Sequence, residues 1–322
     1  MGFHMPRSRL SATLAATVLL LTACGDSGDQ TDSGAQLEKV NAGVIAIVDV
    51  APIYVGRALG FFKEQNIDLT LTTAQGGAAI VPAVLGGEYQ FGFSNTISLL
   101  LGASKKLPIK VVANGTNSTG VDGKDFAGLF VKADSPIKSP KDLAGHTVAA
   151  NTLKNIVETS VRASVRKDGG DATAVKFTEL AFPDQVPALE SGQVDAIFVV
   201  EPFQQAAVLA GARKIASSYV DAAPDLTVAM YFTSNQLISS NPDLVRRFTE
   251  AMKKSLTYAD SHPDQVREVI GTYTKIDPTV RAALVLPKWP AEVNRASVET
   301  LAGLAVTDQL LTAKPDLDAL LP

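Results

Sequence analysis

From Gly43 onward, short runs of apolar and β-branched residues alternate with stretches whose apolar positions recur at helical spacing. GVIAIVDV (43–50), IDLTLTT (67–73), YQFGFS (89–94) and IKVVAN (109–114) predict strands. Between them PIYVGRALGFFKEQ (52–65), GGAAIVPAVLGG (76–87) and NTISLLLGASKK (95–106) predict helices. The alternation restarts with HTVAA (146–150), LKNIVETSVRASVRKDG (153–169), AVKFTEL (174–180), DQVPALESG (184–192), VDAIFVV (194–200) and PFQQAAVLAG (202–211). Such an order predicts parallel sheets of the α/β class.

Two segments align without a gap, VPAVLGGEYQFGF from Val81 and VPALESGQVDAIF from Val186, each a helix end, a glycine stop and a strand. They predict two sheets of related topology. The apolar runs Phe126–Val131 and Leu226–Thr233 are placed to cross between the halves and to form a hinge. After Asn241-Pro242, an N-cap followed by proline at the first helical position, the pattern becomes almost wholly helical. A chain so arranged builds one lobe, crosses to a second, and returns to finish the first. The expected division is 40–127 plus 230–322 for the first lobe and 128–229 for the second.

The first residues follow another logic. Arg7 and Arg9 precede an apolar run from Leu10 to Ala23 that is short for a membrane span, the layout of a secretory signal over residues 1–23. The run ends in Leu21-Thr22-Ala23-Cys24, which resembles the lipobox of bacterial lipoproteins, where the cysteine is acylated. Cys24 is the chain's single cysteine, so it has no partner within the chain for a disulfide. Acyl chains contribute roughly 0.8 kcal/mol per buried CH₂, enough together to hold a protein domain at a membrane. Residues 24–39, rich in Gly, Ser, Asp, Gln and Thr over their first part, read as a flexible tether. With 46% hydrophobic and 19% charged residues the remainder can bury two modest cores. A net charge of −4 without a basic stripe gives no support to nucleic-acid binding.

In open α/β sheets ligands sit beyond the carboxyl ends of the strands. That rule selects Asp49 and Tyr54 after the first strand, Gly76, Gly77 and Ala78 after the second, and Ser94 and Asn95 after the third. In the second half it selects Asn151, Thr152 and Asn155, then Glu201 and Phe203. Glycines opening a helix expose backbone N–H groups that suit an anion, and equally make a simple turn. Ser94, Asn95, Asn151 and Thr152 either bind ligand or cap helices. Tyr54 and Phe203 sandwich a planar ligand or pack in the core. Asp49 and Glu201, if both point inward, suit an N–H-bearing heterocycle or an amine. If they cap helices or pair with Arg57 or Lys154, the cleft takes a carboxylate or sulfonate.

Catalytic and metal signatures are sparse. His146 and His262 have no partner at metal-ligand spacing, and the chain has no G-x-S-x-G elbow, Walker loop or dinucleotide fingerprint. Asp184 and Glu190 read as solvated helix faces. No cofactor is expected.

APIYVGRALGFFKEQNIDLTL, GGAAIVPAVLGGEYQFGFSN, VKADSPIKSPKDLAGHTVAA and VPALESGQVDAIFVVEPF, in this order and with the lipobox, carry a resemblance. The chain resembles the periplasmic-type substrate-binding proteins of ABC importers, in the group that handles nitrate, sulfonates, taurine and thiamine-precursor pyrimidines. The resemblance implies a two-lobed periplasmic-binding-protein fold (type II) with hinge crossovers and C-terminal helices, and a monomer without enzymatic activity. It also implies a small-molecule ligand in the cleft, permease subunits as partners and a place outside the cytoplasm on the membrane. Eukaryotic relatives that make the thiamine pyrimidine carry a cysteine-rich motif, which is absent here. Relatives in menaquinone synthesis have no reason to carry a lipobox. A lipid-anchored sensor without a transporter is a third alternative.

Overall fold

The computed structural model describes residues 37–322, with Gly2 besides. The signal, Cys24 and most of the tether lie outside the described residues. Ten strands, β1 (Glu38–Val44), β2 (Ile67–Thr73), β3 (Phe91–Asn95), β4 (Ile109–Asn117), β5 (Ala127–Val131), β6 (Thr147–Ala150), β7 (Lys176–Glu179), β8 (Ala196–Val200), β9 (Arg213–Ala216) and β10 (Thr227–Ser234), form two sheets. Their orders are β2-β1-β3-β10-β4 and β7-β6-β8-β5-β9. The two orders coincide when β1–β4 are laid on β6–β9, position by position, with β10 and β5 exchanged as the fourth strand.

The sheets are mixed where the sequence predicts parallel ones. β10 runs antiparallel to β3 and β4, and β5 antiparallel to β8 and β9. The cause is the direction of arrival. The chain leaves the first sheet at the carboxyl end of β4 and enters the second beside the carboxyl end of β8, with Ala127 opposite Val200. It returns the same way, Thr227 opposite Asn117. The two apolar runs expected to form the hinge are therefore sheet strands, and the links between the sheets are 118–126 and 217–226.

The aligned repeat is structural in detail. Pro82 and Pro187 lie inside equivalent helices, Gly77–Leu85 and Phe182–Glu190. Each helix is followed by a glycine in the left-handed region, Gly87 (φ 78°) and Gly192 (φ 75°). Gln90 then accepts the amide of Asn41 on its side chain at 2.8 Å and donates its own amide to the Asn41 carbonyl at 2.9 Å. Asp195 makes the same pair of bonds with Thr147, at 2.8 and 3.0 Å. In both halves the residue before the third strand thus pins the strand at the centre of its parallel group.

Three local expectations are corrected. The first strand lies at 38–44, and Val48–Val50 forms a short 3-10 turn within the buried run 45–50. The predicted helix over 52–65 is two, Ala51–Ala58 and Phe61–Glu64, separated at Gly60 (φ 82°). β9 had no sequence signal, being four half-buried residues, RKIA. The C-terminal helices form as expected, and the Asn241 side chain accepts the Leu244 amide at 3.1 Å. Helix Pro242–Ser261 buries Leu244, Phe248, Met252 and Leu256, with Phe248 stacked 3.6 Å from Phe91 of β3. Each such side chain contributes about 1.5–3 kcal/mol on burial. Gly56 lets this helix approach, since a Cβ there would lie 1.8 Å from Ser255 Oγ.

Candidate functional site

The strand ends of the two sheets meet. Gly76 and Gly77 are buried at the start of helix Gly77–Leu85, while Ala78 is exposed. A Cβ on Gly77 would lie 2.2 Å from Ser94 Oγ, so glycine lets this helix rest on the end of β3. Ser94 is fully buried, and its hydroxyl has no hydrogen-bond partner among the described residues. Asn95 caps the next helix, accepting the Ser98 amide at 2.9 Å.

Across from these lies a polar turn of the second lobe. The Asn155 amide group donates to Asn151 Oδ1 at 3.1 Å and to Thr152 Oγ1 at 2.6 Å, while its oxygen accepts the Val157 amide at 2.9 Å. Asn155 is 1% exposed, so one buried cap orders the turn that presents Asn151 and Thr152. A Cβ on Gly76 would lie 2.7 Å from Thr152 Cγ2 and 3.6 Å from Asn151 Nδ2. The lobes therefore touch at the loop after β2 and the loop after β6.

Further contacts fasten the lobes. Val48 donates its amide to the Glu201 carbonyl at 3.0 Å. The Glu201 carboxylate accepts from Gln204 Nε2 (3.1 Å), the Gln205 amide (3.1 Å) and the Val285 amide (3.2 Å). Burial raises its pKa, opposed by these donors. Glu201 thus caps helix Phe203–Leu209 and ties it to the C-terminal segment. Arg166 pairs with Asp308 at 2.5 Å, and the Asp308 side chain is 2% exposed.

The two aromatic candidates each have a partner: Tyr54 stacks on Tyr273 at 3.9 Å, and Phe203 on Phe182 at 5.7 Å. Arg57 lies 5.1 Å from the Tyr54 ring centroid and pairs with neither acidic candidate.

Asp49 is the electrostatic centre. It is 2% exposed, and its Oδ2 has no partner among the described residues. Its carbonyl oxygen accepts from Thr116 Oγ1 at 2.9 Å and Trp289 Nε1 at 3.1 Å, which clamps the backbone. Burial pushes its carboxyl up to about 7, its own backbone N–H opposing and the Asp125 charge adding to the rise. The phenols of Tyr219, Tyr231 and Tyr273 are held well above their usual value by burial first, and in each case by the Asp49 charge as well. Tyr219 lies on the link returning from the second sheet, so the charge of this one carboxyl reaches past the first sheet. Tyr219, Tyr231, Tyr273, Thr116 and Trp289 escaped the strand-end rule. Thr116 stands near the end of β4, two residues past the predicted strand, and the others come from the returning strand β10, a link and C-terminal segments, which carry no motif. Among the described residues no cluster of three His, Cys, Asp or Glu side chains is placed to hold a metal.

Comparison with known proteins places this arrangement. The alkanesulfonate-binding protein of Xanthomonas axonopodis pv. citri superposes with a TM-score of 0.72 at 16% identity, over 88% of this chain and 97% of that one. The fold is the periplasmic-binding-protein fold. The taurine-binding periplasmic protein of Escherichia coli is 24% identical over 217 residues, 67% of this chain, and the match spans 65% of that protein's length. A riboflavin-binding protein of Chloroflexus aurantiacus is 24% identical over 267 residues, 77% of this chain and 73% of that one. A 4-amino-5-hydroxymethyl-2-methylpyrimidine phosphate synthase of Candida albicans is also similar, 19% identical over 252 residues, 74% of this chain and 70% of that one. The NMT1/THI5 like family model matches residues 47–266, and the chain belongs to that family.

Proposed function

We propose that the protein is an extracytoplasmic solute-binding component of an ABC importer, in which two lobes close over a small organic molecule and present the closed form to a permease. The lobes are 37–117 with 227–322, and 127–216, joined by the links 118–126 and 217–226. Gly76, Gly77, Ala78, Ser94 and Asn95 contribute from one side and Asn151, Thr152 and Asn155 from the other. Asp49, Tyr54, Glu201 and Phe203 complete the proposed set.

The observation that carries this reading is the meeting of Gly76 with Thr152 across the two sheets, together with buried polar atoms on Asp49, Ser94 and Tyr231 that have no partner among the described residues. Buried polar groups are normally hydrogen-bonded. A ligand that bonds them in the closed form, and cannot in the open form, shifts the balance toward closure. In this scheme Cys24 carries a lipid, the tether lets the protein move along the membrane, and anchoring raises its effective concentration at the permease. The binding-protein relatives favour this over synthase chemistry, as does the location of the single cysteine in the lipobox rather than in a cysteine-rich motif.

A thermal-shift screen of the purified protein against sulfonates, aromatic carboxylates, nitrate, pyrimidines and amines tests the reading. Binding to the folded state raises the melting temperature by mass action. A hit that also compacts the protein supports the proposal, and stabilisation of a permease-free signalling partner instead would move it to the sensor class.

A further inference from the structure

We propose that the closed cleft selects a small organic ligand presenting a protonated nitrogen, with Asp49 as its charge partner. The inference rests on the solute-binding reading and goes further by naming the ligand's charge, which neither the fold nor the family sets.

Four carboxyl groups are buried where the lobes meet, and three are already engaged, Asp308 by Arg166. Asp125 accepts from Ser118 Oγ at 3.0 Å, the Thr119 amide at 2.8 Å and Thr119 Oγ1 at 3.0 Å. Glu201 has the three donors given above. Lys214, the cation beside both, donates to the Asp125 carbonyl at 3.1 Å and to Gln204 Oε1 at 3.0 Å. Asp49 alone retains an oxygen with no donor, and the bonds from Thr116 and Trp289 to its carbonyl keep its backbone from moving toward one.

A buried carboxylate without a partner is costly, and the protein lessens that cost by holding the proton more tightly. A ligand with N⁺–H groups removes it by supplying countercharge and donors together. The surroundings accept positive charge: Tyr54, stacked on Tyr273, carries the Arg57 guanidinium 5.1 Å from its ring centroid, as a cation sits on an electron-rich ring. An oxyanion in that position would meet the negative charges of Asp49 and Asp125, with two of the three Lys214 donors already used.

The test uses the purified protein and probes of matched size and opposite charge: benzylamine and benzamidine against benzenesulfonate and benzoate. Melting temperature and titrated affinity are read one pH unit below and one above the Asp49 value of about 7. The groups whose charges couple to Asp49 are Asp125, Tyr219, Tyr231 and Tyr273; the phenols stay protonated over this range.

The expected result is that the cations stabilise the protein at millimolar concentration, more at the higher pH, and that Asp49→Asn weakens them at least tenfold and removes the pH dependence. Thr116→Val, which keeps the carboxylate and frees its backbone, is expected to weaken them less and to keep the pH dependence. Stabilisation and compaction by the sulfonate or the carboxylate would overturn the cation inference while leaving the solute-binding reading standing. Equal cation affinity in wild type and Asp49→Asn would overturn it too. No response to any probe, with no compaction, would overturn both.

Discussion

Gly76→Ala should act as a wedge that the open protein does not feel. Gly76 has extended backbone (φ −168°, ψ 161°), which alanine adopts without strain. The new Cβ would lie 2.7 Å from Thr152 Cγ2, against 3.4 Å or more for ordinary contact, so closure requires a shift of about 0.7 Å in one lobe. Overpacking of this kind costs about 1–3 kcal/mol. Borne by the closed form alone, it raises Kd by about 5- to 150-fold. The open form changes little, since alanine restricts the unfolded chain by about 0.4–1 kcal/mol but is a poorer N-cap than glycine for helix Gly77–Leu85. Calorimetric titration with a ligand found by the thermal-shift screen measures the first effect, and ligand-free melting the second. Thr152→Ser removes the offending methyl and keeps the hydroxyl that accepts from Asn155, so the double variant should recover most of the lost affinity. Unchanged affinity in Gly76→Ala, or no recovery in the double variant, would refute the idea that these loops meet in the ligand-bound form.

Asp49 gives a pH signature of unusual sign. Its folded pKa of about 7 lies above its unfolded value of 3.8, so ligand-free stability falls as pH rises between them, by up to about 4 kcal/mol at about 1.4 kcal/mol per unit. Asp49→Asn should flatten this part of the profile and raise the melting temperature at pH above 7, as denaturant titrations across pH would read. Arg166→Ala leaves the buried Asp308 carboxylate unpaired and should cost about 3 kcal/mol, largely recovered by adding Asp308→Asn. Glu201→Gln replaces an acceptor with an NH₂ group that faces backbone donors, and should cost about 1–3 kcal/mol in thermal unfolding. Cys24→Ser should move the protein from the membrane fraction to the soluble one, and its retention on the membrane would exclude this cysteine as the anchor.

The α/β class, most helices and the paired sheets are legible because periodicity and strand-end chemistry are local. The gapless match between Val81 and Val186 reflects a real equivalence, down to Gln90 and Asp195 gripping the neighbouring strand. The position of β1 was not legible, because a buried apolar run such as Ile45–Val50 has no periodicity to separate strand from turn. The reversed strands were hidden because direction depends on where a link enters the other sheet. At the site, strand ends point to Gly76, Asn155 and Asp49 from sequence alone. They do not separate Glu201 from Asp49, since the donors that occupy Glu201 include Val285, a residue 84 positions away. Tyr273 and Trp289 reach Ile47 and Asp49 over 226 and 240 positions, distances at which no motif operates.

The central claim is that the lobes close over a small molecule. Small-angle X-ray scattering of the purified protein, alone and with a ligand from the thermal-shift screen, tests it most directly. The ligand should contract the radius of gyration, and Gly76→Ala should reduce the contraction. A saturating ligand that leaves the scattering curve unchanged, in wild type and variant alike, would contradict it.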